Sequence, residues 1–151
     1  MIKKKNILIT GAHGFIARYL SNILSKKKFN LYGIGNKRKK LNKNIKSNYK
    51  KLLNKRINCN NLKNFKSLDI IIHCAGTGTV RSSNKEHLFK NYVTTKSLIK
   101  FCKSIKKKPK IIFLSSYSIY GENYNRPIKE YFKTNPKSCY SKTKKKARML
   151  L

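Results

Sequence analysis

Tyr140 and Lys144 stand four residues apart in Tyr140-Ser141-Lys142-Thr143-Lys144. On a helix that spacing puts both side chains on one face. A free phenol keeps its proton up to pH ~10. A cation within about 4–6 Å favours the phenolate instead. A tyrosine tuned in this way can exchange a proton with a substrate hydroxyl or carbonyl. In a chain carrying 38 Lys+Arg the spacing also arises by chance, so the pair alone equally describes two exposed side chains. A second candidate site is Thr10-Gly11-Ala12-His13-Gly14-Phe15-Ile16-Ala17, which follows the apolar run Ile7-Leu8-Ile9. Gly11 can take turn angles that a Cβ would oppose. Gly14 lets a phosphate approach the main chain, and Ala17 permits close helix–strand packing. A helix beginning here offers unpaired N–H groups and a positive dipole end to a pyrophosphate. The spacing Gly-x-x-Gly-x-x-Ala differs from the more familiar Gly-x-Gly-x-x-Gly, so the turn alone is also compatible with an ordinary βα connection.

These residues need elements to hold them. Asn6 to Thr10 reads as a first strand, and Phe15 to Lys26 as a helix with Ile16, Leu20, Ile23 and Leu24 at helical spacing. Leu31 to Ile34 is a second strand, ending at Gly35-Asn36-Lys37-Arg38. Residues 37–56 form the most basic stretch. Leu41, Ile45, Tyr49 and Leu52/Leu53 recur there at helical spacing, so it is either an amphipathic helix or a solvated basic excursion. Arg56 to Cys59 is the expected third strand, and Leu62 to Phe65 a helical turn. Asp69 to His73 is a nearly continuous apolar run, as in a central parallel strand covered on both faces. It ends in the small-residue turn Cys74-Ala75-Gly76. Glu86 to Ile105 reads as a long helix with Leu88, Phe89, Tyr92, Leu98, Ile99 and Cys102 inward. Lys110 to Leu114 reads as a buried strand running into Ser115-Ser116-Tyr117-Ser118-Ile119-Tyr120-Gly121. Pro136 stands at a helix-start position, and a helix is expected over 138–151. Strands alternating with helices give βαβ units and a doubly wound parallel sheet. In such sheets ligands lie beyond the carboxyl ends of the strands. The stretches 10–17, 73–76 and 115–121 all fall at such ends.

Composition narrows the classes. The 151 residues suit about one domain, and 39% apolar content suits a packed core. The formal net charge is +34, with Asp69, Glu86, Glu122 and Glu130 the four acids. Lysine, asparagine and isoleucine are abundant together and the lysines are scattered along the chain. That points to codon bias rather than to a surface selected for nucleic acid or an anionic membrane, which would gather arginine on one face. Cys59, Cys74, Cys102 and Cys139 form no Cys-x-x-Cys, and no histidine stands at metal-ligand spacing, so reduced thiols and no metal are expected. No run is long enough to span a bilayer, and the N-terminal apolar run is too short for a signal peptide. A cytoplasmic protein is the default.

The set says more than its parts. Thr10-Gly11-x-x-Gly14-x-x-Ala17, His73-Cys74-Ala75-Gly76, Asn91 opening Asn-Tyr-Val-Thr-Thr, Ser115-Ser116-x-x-Ile119-Tyr120-Gly121 and Tyr140-x-x-x-Lys144 occur in this order on a βα framework. This resembles the extended short-chain dehydrogenase/reductase family, in its nucleotide-sugar epimerase and dehydratase branch. The resemblance implies an α/β, Rossmann-type doubly wound parallel sheet of about five strands, spanning 1–151 as an NAD(P)-binding domain and lacking the C-terminal substrate region. It implies that Gly11, Gly14, Phe15 and Ile16 line the pyrophosphate of NAD or NADP, and that Ala75 and Gly76 flank the central ribose and phosphates. Tyr140 would be the general acid/base. Lys144 would hold the nicotinamide ribose hydroxyls and favour the phenolate, and Ser116 would steady the reacting oxygen ahead of Ser115 or Ser118. Asn91 would fix the active-site helix through its main chain or a water. The acidic residue that usually ends the second strand in NAD-using members is replaced by Gly35 or Asn36, with Lys37 and Arg38 next. That leans slightly toward NADP. The implied substrate is a nucleotide sugar, with a homodimer or a separately encoded C-terminal half as candidate partner. The alternatives are a catalytically incomplete cofactor-binding fragment and a basic nucleic-acid or anionic-surface module.

Overall fold

The structure is a computed structural model that describes residues 4–36, 43–77, 85–121 and 127–151. The chain divides into two compact units, one of Met1–Ala75 with Ser97–Leu114, the other of Gly76–Lys96 with Ser115–Leu151. The first unit is built on a five-stranded parallel sheet of β1 (Lys5–Thr10), β2 (Phe29–Ile34), β3 (Lys51–Leu53), β4 (Ile70–His73) and β5 (Lys110–Phe113). The order across the sheet is β3-β2-β1-β4-β5. The chain steps outward from β1 to β2 and β3, then returns to the other side of β1 for β4 and β5. Strand order therefore reverses between β1 and β4, where Thr10 lies opposite His73. This is the Rossmann-type arrangement implied above.

Alternation along the strands sorts side chains between two cores. Leu8 and Ile71 enter one with Ile34, Leu62, Phe65, Leu68, Leu98, Phe101 and Cys102. Ile7, Ile9 and Ile72 enter the other with Ala12, Ala17, Leu31 and Tyr49. Helix α1 (Phe15–Ser25) covers the second core, and the C-terminal half of α4 (Lys85–Ser104) supplies Leu98, Phe101 and Cys102 to the first.

The structure corrects several sequence expectations and decides which face of α1 packs inward. Helix α1 buries Ala17 and Ser21 and tucks in Leu20 and Leu24, while Ile16 and Ile23 are 50% and 42% exposed. Two small residues let the helix axis approach the sheet, and that close approach turns Ile16 and Ile23 outward. The third strand lies at Lys51–Leu53, not at 56–59. Gly33 of β2 explains the shift: a Cβ there would stand 2.6 Å from Leu52 Cδ1 and 3.0 Å from the Tyr49 ring. The vacancy left by that missing side chain accepts Tyr49 and Leu52. Residues 43–47 form only a short helix α2 (Lys43–Ser47), and Asn58 caps α3 (Cys59–Leu62) by accepting from the Asn61 N–H at 2.8 Å. Phe89 of α4, expected inward, is 68% exposed, because Asn91, Thr95, Leu98 and Phe101 form the buried face. The side chain of Leu88 lies outside the described residues. Strand β5 is half exposed, with Ile112 at 42%, because it forms one edge of the sheet.

The second unit holds the N-terminal part of α4, a 3-10 turn (Tyr117–Tyr120) and α5 (Cys139–Arg148), and the 3-10 turn packs on α5. Ser138 caps α5 by accepting from the Ser141 N–H at 3.1 Å. Gly121, at φ +114°, ends the 3-10 turn, and a Cβ there would meet the Asn135 carbonyl oxygen at 3.0 Å.

Candidate functional site

The first unit gathers the glycine turn and the tip of β4. Gly11 has φ +67°, and a Cβ there would meet Ala75 Cα at 2.8 Å and Ala75 N at 2.9 Å. Only glycine fits both the angle and the gap. The Gly14 N–H donates to the Gly11 carbonyl at 2.7 Å and closes the turn. Gly14 then caps α1 in extended conformation without any side-chain hydrogen bond to the helix end. The first-turn N–H groups of a helix have no intrahelical acceptors, so this end presents donors that a phosphate can take. Ala17 is fully buried one turn on, as close helix–sheet contact requires. The Ala12 N–H donates to the Ile34 carbonyl at 3.1 Å, which ties the turn to the end of β2. Gly35 is buried beside Ala12 and His13, and Asn36 is exposed. Lys37 and Arg38 lie outside the described residues.

One signal at this tip was missed in the sequence. Thr10 Oγ1 lies 2.6 Å from His73 Nδ1, both side chains fully buried. The Ala75 N–H donates to the same hydroxyl at 3.3 Å. The His73 ring also stacks on Phe113, with centroids 5.7 Å apart. A polar residue at the last position of two adjacent apolar strands was the available clue.

In the second unit Gly76, Asn91 and Lys144 converge. A Cβ on Gly76 would stand 3.6 Å from Lys144 Nζ and 3.7 Å from Asn91 Oδ1. The Thr77 N–H donates to Asn91 Oδ1 at 2.6 Å, and Asn91 Nδ2 donates to the Thr77 carbonyl at 3.1 Å. Asn91 thus uses its side chain to grip the backbone just beyond Gly76. Lys144 is 6% exposed. Lysine is almost never so buried unless its amine has polar company. Tyr140 sits one turn earlier on α5, half-buried. Ser116 Oγ accepts from the Ser118 N–H at 3.3 Å and lies 2.8 Å from Ser118 Oγ, which fixes the serine pair at the start of the 3-10 turn. Ser115 is exposed. Among the described residues no group of His, Cys, Asp or Glu could hold a metal ion.

A parallel sheet reversing beside a glycine turn defines a dinucleotide-binding class of fold. The chain matches the model of the NAD dependent epimerase/dehydratase family over residues 7–151, and it belongs to that family. UDP-glucuronate 4-epimerase 4 of Arabidopsis thaliana is 30% identical over 155 residues, covering 92% of this chain and 36% of the relative. UDP-glucuronic acid 4-epimerase from Bacillus cereus, solved with UDP-glucuronic acid and NAD, is 27% identical with a TM-score of 0.80, covering 96% of this chain and 50% of that one. An NAD-dependent NDP-hexosamine 5,6-dehydratase involved in tunicamycin biosynthesis is 25% identical with a TM-score of 0.82, covering 97% and 48%. The chain therefore spans between about a third and a half of the length of these proteins. Among the described residues no helix is long and apolar enough to cross a membrane.

Proposed function

We propose that residues 1–151 form the NAD(P)-binding and proton-transferring part of a cytoplasmic nucleotide-sugar epimerase or dehydratase. The observation that carries this reading is Lys144, buried within about a van der Waals contact of the space beside Gly76 and one helical turn from Tyr140. A buried amine held in polar company suits a residue that binds ribose hydroxyls. The Gly11–Gly14 turn fits the pyrophosphate: a Cβ at either glycine would occupy space against the backbone, 2.8 Å from Ala75 Cα or 3.1 Å from the Gly11 carbonyl oxygen. Gly11, Gly14, Phe15 and Ile16 would hold the phosphates through main-chain N–H groups, and Ala75 and Gly76 would flank the central ribose.

Bound NAD supplies the site that accepts and returns a hydride. Tyr140 takes the proton from the sugar hydroxyl as the carbonyl forms and returns it on reduction. Lys144 holds the nicotinamide ribose hydroxyls. Ser116 donates a hydrogen bond to the reacting oxygen. Asn91 keeps the backbone beyond Gly76 in place. Asn36 brings no carboxylate to repel a ribose 2′-phosphate, so NADP is expected to bind at least as well as NAD. The substrate is a nucleotide sugar such as UDP-glucuronic acid.

The test is a calorimetric titration of the purified protein with NAD and NADP, followed by an epimerisation assay with UDP-glucuronic acid. Tyr140→Phe should bind the cofactor as tightly as the wild type yet lose turnover by a factor on the order of 10²–10⁴. Equal turnover in the two proteins overturns Tyr140 as the acid/base, and absence of cofactor binding overturns the whole reading.

A further inference from the structure

We propose that the edge of the sheet where the strands begin is a docking surface for the phosphodiester backbone of duplex nucleic acid. The strands are parallel, so all five enter the sheet at one edge. The glycine turn lies at the other edge, ~20 Å away along the 6 residues of β1. Lys-Lys-Lys occurs four times in the sequence, at 3–5, 26–28, 106–108 and 144–146. The first three lead into β1, β2 and β5. Lys50 and Lys66 stand at the entries to β3 and β4. Lys4, Lys50, Lys66 and the lysines at 26–28 and 106–108 are all exposed. At the opposite edge the residues just past β1, β2, β4 and β5 are Gly11, Gly35, Cys74 and Leu114, and none is a cation.

Codon bias sets how many lysines the chain carries, not which end of the sheet receives them. Segments far apart in the sequence bring their amines to one edge because the crossovers return every strand to it. Asp69 is the only acid in the sequence of this unit. It accepts the Asn6 N–H and pairs with Lys107, so it neutralises one cation. Lys108 donates to the Lys103 and Ile105 carbonyls at 2.9 Å and 2.6 Å and closes the end of α4. The other amines have no acid of this unit to meet. Neighbouring strands lie ~4.8 Å apart, so the entries of β2, β1, β4 and β5 span ~14 Å. Such a row meets several phosphates at once, since a duplex carries one charge per ~1.7 Å of its axis, and each contact releases a counterion. None of the described strand-entry residues is an exposed aromatic or another exposed large apolar side chain. A single strand therefore finds no stacking platform there, and a bilayer finds no apolar anchor. The backbone of a duplex needs neither.

A net charge of +34 draws any polyanion by its field alone, so the test compares two variants of equal charge. Lys27→Gln/Lys66→Gln/Lys106→Gln takes one exposed lysine from each of three strand entries and spares Lys107 and Lys108. Lys133→Gln/Lys137→Gln/Lys146→Gln takes three exposed lysines from the second unit. Binding of a labelled duplex of arbitrary sequence is followed by fluorescence anisotropy from about 50 mM to about 200 mM salt, with and without saturating NAD. The wild type should lose affinity by about 10³ over that range. The strand-entry variant should lower the slope of log affinity against log salt by about 3, and Lys106→Gln alone by about 1. The second-unit variant should lower it by less than about 1, on the same scale. NAD should leave duplex affinity unchanged, because the glycine turn lies at the far end of β1. Unlabelled duplex should compete better than the same sequence as a single strand, or than phosphatidylglycerol vesicles at equal phosphate. Equal slopes in the two triple variants overturn the proposal, as do no binding at the lowest salt, displacement by NAD, or better competition by the single strand or the vesicles. The proposal does not rest on the cofactor reading: absence of NAD binding in calorimetry overturns that reading alone, and the paired variants still decide this one.

Discussion

At the scale of single residues, chemistry and backbone constraint coincide at Gly11. Its φ of +67° and the 2.8 Å approach to Ala75 leave no room for a side chain. Gly11→Ala should lower stability by about 2 kcal/mol, the left-handed penalty plus the contact, and abolish detectable NAD binding. Heat denaturation and calorimetry read the two effects. Cys102 gives a pH prediction. Burial pushes its thiol up from 9.0 to about 11, and Lys108 opposes that only in part. The folded state holds the proton that the unfolded chain releases first. Stability is therefore undiminished below pH 9 and falls as pH rises from 9 to 11, by on the order of 2 kcal/mol. Urea unfolding across that range should show the fall, and Cys102→Ala should flatten it.

Elements meet their partners through vacancies as much as through side chains. Gly33 of β2 makes the space that Leu52 and Tyr49 fill, and this places β3. Gly33→Ala should cost about 1–3 kcal/mol by overpacking. Adding Leu52→Ala should recover part of that loss, because the two changes share one volume. Equilibrium unfolding of the single and double variants checks the coupling. The same logic explains why periodicity misplaced this strand. Tyr49, Leu52 and Leu53 follow Leu41 and Ile45 at helical spacing, yet the hole that claims Tyr49 and Leu52 lies on another strand. The buried face of α1 was not legible from spacing for a related reason. Ala17 and Ser21 are poor hydrophobes, but their small size decides which side can approach the sheet. The local elements were easier to read. The turn after β1, the end of β4 and a helix carrying Tyr140 and Lys144 depend on local residue order, and each forms at the residues expected.

On the scale of the whole molecule, charge dominates. Four acids face 38 basic residues. Asp69 immediately precedes β4, accepts the Asn6 N–H at 2.8 Å and pairs with Lys107. Glu130 is exposed, and the side chains of Glu86 and Glu122 lie outside the described residues. One ion pair among the described residues cannot offset a net charge of +34. Raising salt from about 10 mM to about 1 M shrinks the screening length from ~30 Å to ~3 Å. The unfolding temperature should therefore rise by several degrees over that range, since self-repulsion weighs most on the compact state. A flat response in differential scanning calorimetry would show that the lysines are spaced widely enough not to matter.

The sequence by itself determined the alternation of strands and helices, the left-handed glycine at the end of β1, and the family, because these rest on short-range order. A turn needs its glycine whatever lies around it, and a tyrosine and a lysine four apart share a helix face wherever the helix packs. Only the tertiary structure decided the position of β3, the outward turn of Ile16 and Ile23, the grip of Asn91 on Thr77, and the pairing of Thr10 with His73. Each of those depends on space or a partner brought from a distant part of the chain, and residue spacing carries no record of which distant atoms will be near.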